Sequence, residues 1–144
     1  MDEFDRYKYL LGETIMLYQF MENDLKLIYA GMQEGSFYKN IELVRANCKG
    51  LGQVVKSLED YDLEYNENQY FDNDTYTLLN KLARQRNYYC HQCCVEFAYA
   101  PDFINSVEFK DALKSLTDTN RSLKQIQVQT QKHRVRVLEK YNRI

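Results

Sequence analysis

No stretch of this chain reaches the run of about 18 apolar residues that a membrane-crossing helix requires. The start, MDEFDRYKYLLGE, is acidic where a secretory leader opens with a basic and then an apolar segment. A soluble, cytoplasmic protein with no membrane partner is therefore expected. The four cysteines do not form a secreted framework, since Cys90, Cys93 and Cys94 crowd one turn and Cys48 stands alone, so free thiols are expected. The P-loop, G-x-G-x-x-G, G-x-S-x-G and H-E-x-x-H patterns are all missing, which removes the enzyme classes that depend on them. No self-similarity at a spacing of 20 to 50 residues points to a repeat array. Proline and glycine are also scarce, with one proline, Pro101, and five glycines.

What is present suits one helical domain spanning residues 1–144. Its 144 residues are 44% hydrophobic and 14% aromatic, enough for a sizeable core. Charge is divided unevenly: residues 1–74 carry 15 acids and 7 bases, a net −8, and residues 75–144 carry 6 acids and 12 bases, a net +6. Such asymmetry suits either self-association or attraction of a polyanion to the basic half, or simply two oppositely charged faces packed together.

Between the few breakers, apolar residues recur three and four apart, the helical period. Leu11, Thr14, Tyr18, Met21, Leu25, Ile28 and Met32 mark a long first helix that Gly31 to Gly35 should stop. Ile41, Val44, Cys48, Leu51, Val55 and Leu58 mark a second helix, followed by a surface loop over DYDLEYNENQYFDND. A third is expected from Asp72 or Asp74 to about Ala100, closed by Pro101. A fourth begins near Asn105 or Ser106 and reaches about residue 141. At 1.5 Å per residue it would be about 55 Å long, longer than its partners, with an end that projects or bends back. The expected fold is all-α, an antiparallel up-down four-helix bundle with a long C-terminal helix.

The third helix poses a physical problem. Stepping about 100° per residue puts Leu79, Leu82, Ala83, Cys90, Cys93, Cys94 and Phe97 on one stripe, with Arg86 near its middle, Asn87 at its edge and His91 just beyond. An unpaired buried guanidinium costs several kcal/mol. Arg86 must therefore meet a carboxylate, with Glu13, Glu22 and Asp24 as candidates, or lie in a cleft open to solvent and ligand. Asn87 and His91, four apart, share a face, whereas Arg86 and His91 diverge by about 140°.

The segment Arg86-Asn87-Tyr88-Tyr89-Cys90-His91 resembles the R-N-x-x-x-H form of the Arg-x(4-6)-His motif of HEPN domains, themselves four-helix bundles. Residues 17–28, LYQFMENDLKLI, with Glu22 followed by an apolar-basic pattern, resemble the first helix of that family. The resemblance implies a metal-independent endoribonuclease without a cofactor, often a component of toxin-antitoxin or phage-defence systems, working as a homodimer whose two motifs face one cleft. Cleavage of RNA by its own 2'-hydroxyl needs a proton-transfer group and cations to hold the phosphate as charge builds. His91 suits the first task, Arg86 the second, and Asn87 an orienting one. A dimer also eases the 140° divergence, since Arg86 of one chain then works beside His91 of the other. Many toxins of the family carry a tyrosine two residues after the histidine, which a nucleotidyltransferase antitoxin modifies with AMP. Cys93 stands there in this chain, with Tyr88 and Tyr89 nearby.

C-H-Q-C-C looks superficially like a zinc cluster, but only Cys48 and His133 remain as a second ligand pair, and the three clustered cysteines read better as small core residues. The C-terminal KHRVRVLEKYNRI, with five Lys or Arg against one Glu, suits either phosphate contact or a solvated helical face. The alternative function is a non-catalytic HEPN-like module that binds a nucleotide, RNA or a protein partner, with Arg86 structural.

Overall fold

The computed structural model describes residues 2–141. In chain order its elements are α1 (Glu3–Met32), α2 (Phe37–Asn47), α3 (Leu51–Tyr65), α4 (Asn73–His91), the single turn α5 (Val95–Ala98), a 3-10 turn (Phe103–Asn105) and α6 (Val107–Lys140), with no strand among the described residues. The protein is all-α with a long C-terminal helix.

Side-chain caps open the long helices. Asp2 accepts from the Asp5 amide at 2.7 Å, Asp72 from Thr75 at 2.8 Å and Ser106 from Phe109 at 3.1 Å. Met32 ends α1, and Gly35, at φ 97, takes the left-handed turn into α2. The single second helix expected from the sequence is two helices. Its apolar stripe is buried on both sides of the break, from Ile41 and Val44 to Val55 and Leu58. The backbone nevertheless leaves the helix at Cys48 and re-enters after Gly50, which is fully extended. Apolar spacing crossed the break, while the weak helix former Gly50 marked it.

Two further boundaries differ from expectation. The acidic stretch 60–74 is not all surface loop: α3 continues to Tyr65, and Asp62 and Phe71 are buried. The α4 helix ends at His91 rather than near Ala100. There the Gln92 and Cys93 amides both bond the Tyr88 carbonyl at 2.9 Å, closing the last turn. The redirected chain lets Phe97 enter an aromatic cluster with Tyr7, Phe103 and Phe109. One consequence is that Cys94, placed on the buried stripe by a straight helix, is exposed, while Cys93 is buried and Cys90 half-buried.

The long last helix neither projects nor folds back, because α1 matches it along its length. Phe4 meets Phe109, Thr14 bonds Asn120, Asp24 pairs with Arg134 and Gly31 abuts Val137. Partner numbers rise together, so α1 and α6 run parallel. Along α4 and α6 they run oppositely, since Tyr89 bonds Thr119 and Thr75 bonds Gln129. An up-down bundle of four helices would set its first and last members antiparallel. Here the division of the second helix adds one change of direction, and the first and last helices point the same way.

Candidate active site

Arg86 lies on the edge of α4 that faces α1. Its Nε is 4.0 Å from Glu22 Oε1, and its side chain is 35% exposed against 22% for Glu22. Glu22 is shared, since Lys26 Nζ approaches it more closely, at 3.2 Å. The other candidate partners are already engaged: Glu13 with Lys124 and Asn120, both at 2.9 Å, and Asp24 with Arg134 at 3.2 Å. Arg86 is thus held loosely by one carboxylate and remains open to solvent. A pair with this exposure contributes about 0–1 kcal/mol.

Asn87 is exposed, and its Oδ1 accepts from Arg86 Nη1 at 3.4 Å. His91 is exposed at the last position of α4. No side-chain hydrogen bond or ion pair among the described residues involves it. It lines a depression of about 170 Å³ with Leu11, Ile15, Cys90, Cys93 and Cys94. Arg86 does not line that depression. Within one chain the structure therefore joins Arg86 to Asn87 but leaves His91 apart.

Local contacts set the surroundings of the motif. Tyr18 donates to the Leu82 carbonyl at 2.9 Å, tying α4 to α1 one turn before Arg86. Tyr88 donates to Glu96 at 2.9 Å across the turn after His91; burial first, then this bond, pushes its ionisation well above the ordinary tyrosine value. Tyr89 is buried against Thr119. Neither hydroxyl beside the motif is therefore free.

The basic C-terminal segment is largely engaged within the fold. Arg134 pairs with buried Asp24, Arg136 sits 4.7 Å over the Tyr70 ring and Lys140 reaches the Gly31 carbonyl. Burial raises the Asp24 carboxyl above its ordinary range, and Arg134 opposes that shift. His133 packs against Tyr70 and Phe71, and burial, then Arg136, lowers its pKa. Asn142, Arg143 and Ile144, the end of the same segment, lie outside the described residues. His133 and Cys48 do not approach the cysteine cluster, and no three His, Cys, Asp or Glu side chains converge as metal ligands among the described residues.

Periodicity alone did not reveal two features. A groove of about 700 Å³ between α1 and α6 exposes Tyr9, Met16 and Phe20 beside Lys8 and Lys124 and contains no residue of the motif. Its signal lay in the apolar residues off the main stripe of α1. Buried Asp62 accepts from the Tyr70 and Phe71 amides, from Asn66 and from the Tyr76 hydroxyl, which fastens loop 66–72. Its position within an acidic run masked it. Among the described residues, no helix is long and apolar enough to cross a membrane. No protein-family model matches the chain, and no curated protein or solved structure does so either.

Proposed function

We propose that the protein is a metal-independent endoribonuclease of HEPN type, acting as a homodimer in the cytoplasm, as a toxin-antitoxin or phage-defence component with a nucleotidyltransferase-like antitoxin. The observation that carries this reading is that Arg86, Asn87 and His91 all reach solvent, although they lie on a helix whose flanking Leu79, Leu82 and Tyr89 are buried. A guanidinium held at 4.0 Å by a shared carboxylate can exchange that carboxylate for a phosphate at little cost. His91, free of partners, is available for proton transfer to or from a 2'-hydroxyl. Because Arg86 and His91 do not meet within one chain, the active arrangement is a composite one, in which Arg86 of each protomer works with His91 of the other around a two-fold axis. Antitoxin control through a tyrosine two residues beyond His91 is not available to this chain, because Cys93 occupies that place and is buried.

A specific observation favours the second reading, a non-catalytic module that binds a nucleotide, RNA or a protein partner. Arg86 does have a carboxylate neighbour in Glu22, and the depression at His91 excludes Arg86. The two readings separate in one assay. Purified protein incubated with total RNA in chelator should produce fragments ending in 2',3'-cyclic phosphate, and His91→Ala should lose about 100-fold or more of that activity, as loss of a general acid-base group does. RNA retained intact by a protein that still binds it selects the module instead.

A further inference from the structure

The turn that closes α4 brings together thiols that the proposed cleavage does not use. Cys93 and Cys94 Sγ atoms are 3.8 Å apart, Cys94 exposed and Cys93 buried, and Cys90 lines the same depression. Tyr7, on α1, lies against the pair, with its hydroxyl buried beside the sulfurs. Burial first, then the neighbouring Cys93, pushes the ionisation of Tyr7 far above the ordinary tyrosine value, so this hydroxyl stays a donor beside the sulfurs.

We infer that Cys93 and Cys94 form a reactive dithiol that is oxidised by exchange with a low-molecular-weight disulfide such as oxidised glutathione, an oxidative modification site at the end of α4. The exposed Cys94 is the attacking group; Cys93, buried and with its thiol raised by burial, is the poorer first nucleophile and acts second, at the adjacent sulfur. Cys94 thiolate attacks one sulfur of the external disulfide, whose S–S bond breaks, giving a mixed disulfide and one thiolate that takes a proton from water. Cys93, its proton passed to solvent, then attacks the Cys94 sulfur and expels the second external thiolate, which is protonated in turn. Two protein thiols lose two electrons, and one external disulfide is reduced to two thiols. Adjacent α-carbons are about 3.8 Å apart, shorter than the usual disulfide span of about 4.4–6.8 Å. The closed ring is therefore strained and readily reduced, which makes the modification reversible.

The test uses the full chain, incubated without oxygen in buffers of oxidised and reduced glutathione and read by intact mass and peptide mapping. The wild type should lose the mass of two hydrogens with the cross-link mapped to Cys93–Cys94. Cys48→Ser and Cys90→Ser should behave alike, and Cys94→Ser, checked for unchanged helicity, should not close. A stable glutathione adduct without closure, a cross-link that includes Cys90, closure that persists in Cys94→Ser, or thiols that stay reduced in oxidised glutathione alone would each overturn the assignment.

Discussion

At the scale of single residues, the position of Arg86 depends on how weakly it is held. Its one carboxylate neighbour, Glu22, is drawn more closely to Lys26. Replacing Glu22 with Gln should leave stability within about 1 kcal/mol, as for other exposed pairs, and RNA cleavage at or above the wild-type rate, because the guanidinium is released to phosphate. Arg86→Ala should be equally mild in thermal melts and should abolish cleavage. The contrast is Arg134, whose partner Asp24 is only 2% exposed. Arg134→Ala leaves a buried carboxylate unpaired and should cost about 2 kcal/mol or more in chemical denaturation, below the ~3–5 of a sealed pair because Arg134 is 34% exposed. His133 supplies a pH dependence. Its folded pKa lies below the ordinary 6.5, so the unfolded chain takes up the proton first. Stability should fall as the pH drops through 6.5 towards the folded value, and His133→Gln should flatten that slope in denaturation curves recorded across the range.

At the scale of elements, close approach and buried polar groups set the geometry that carries the motif. A Cβ at Gly31 would lie 2.0 Å from Val137 Cγ1, so the α1–α6 pair closes on a bare backbone there. Gly31→Ala should destabilise by about 1–3 kcal/mol, and Val137→Ala in the same chain should recover part of the loss, a coupling that a double-mutant cycle measures. The helices themselves were legible from the sequence because burial imposes the 3.6-residue period. The first stripe, from Thr14 to Ile28, is buried as expected, and of the paired candidate starts, Asp72 or Asp74 and Asn105 or Ser106, Asp72 and Ser106 are the caps. What periodicity could not register was the ends. The α2–α3 break keeps its apolar spacing, and α4 stops at His91, after which Phe97 joins the aromatic cluster of Tyr7, Phe103 and Phe109. Asp62 was hidden for a different reason: one carboxylate that satisfies two amides, an amide side chain and a hydroxyl looks, in the sequence, like one more acid in an acidic run.

At the scale of the whole molecule, the unequal charge of the two halves resolves partly into contacts between them. Acids on α1 meet bases from the second half: Glu13 with Lys124, Glu22 with Arg86 and Asp24 with Arg134. Three bases of the second half are thereby turned towards the acidic half, Lys124 and Arg134 more closely than Arg86. The motif residues and their separation by about 140° around the helix were legible in the sequence, but how loosely Glu22 holds Arg86 was not, since helix angles give directions and not the reach of a side chain. That separation is why the account requires two chains. Arg86→Ala and His91→Ala chains, each inactive alone, should regain cleavage when mixed and allowed to exchange, to about one quarter of the wild-type rate, because half the dimers then hold one complete site. A mixture as inactive as its components would contradict the composite site, and His91→Ala chains that cleave RNA like the wild type would contradict the nuclease itself.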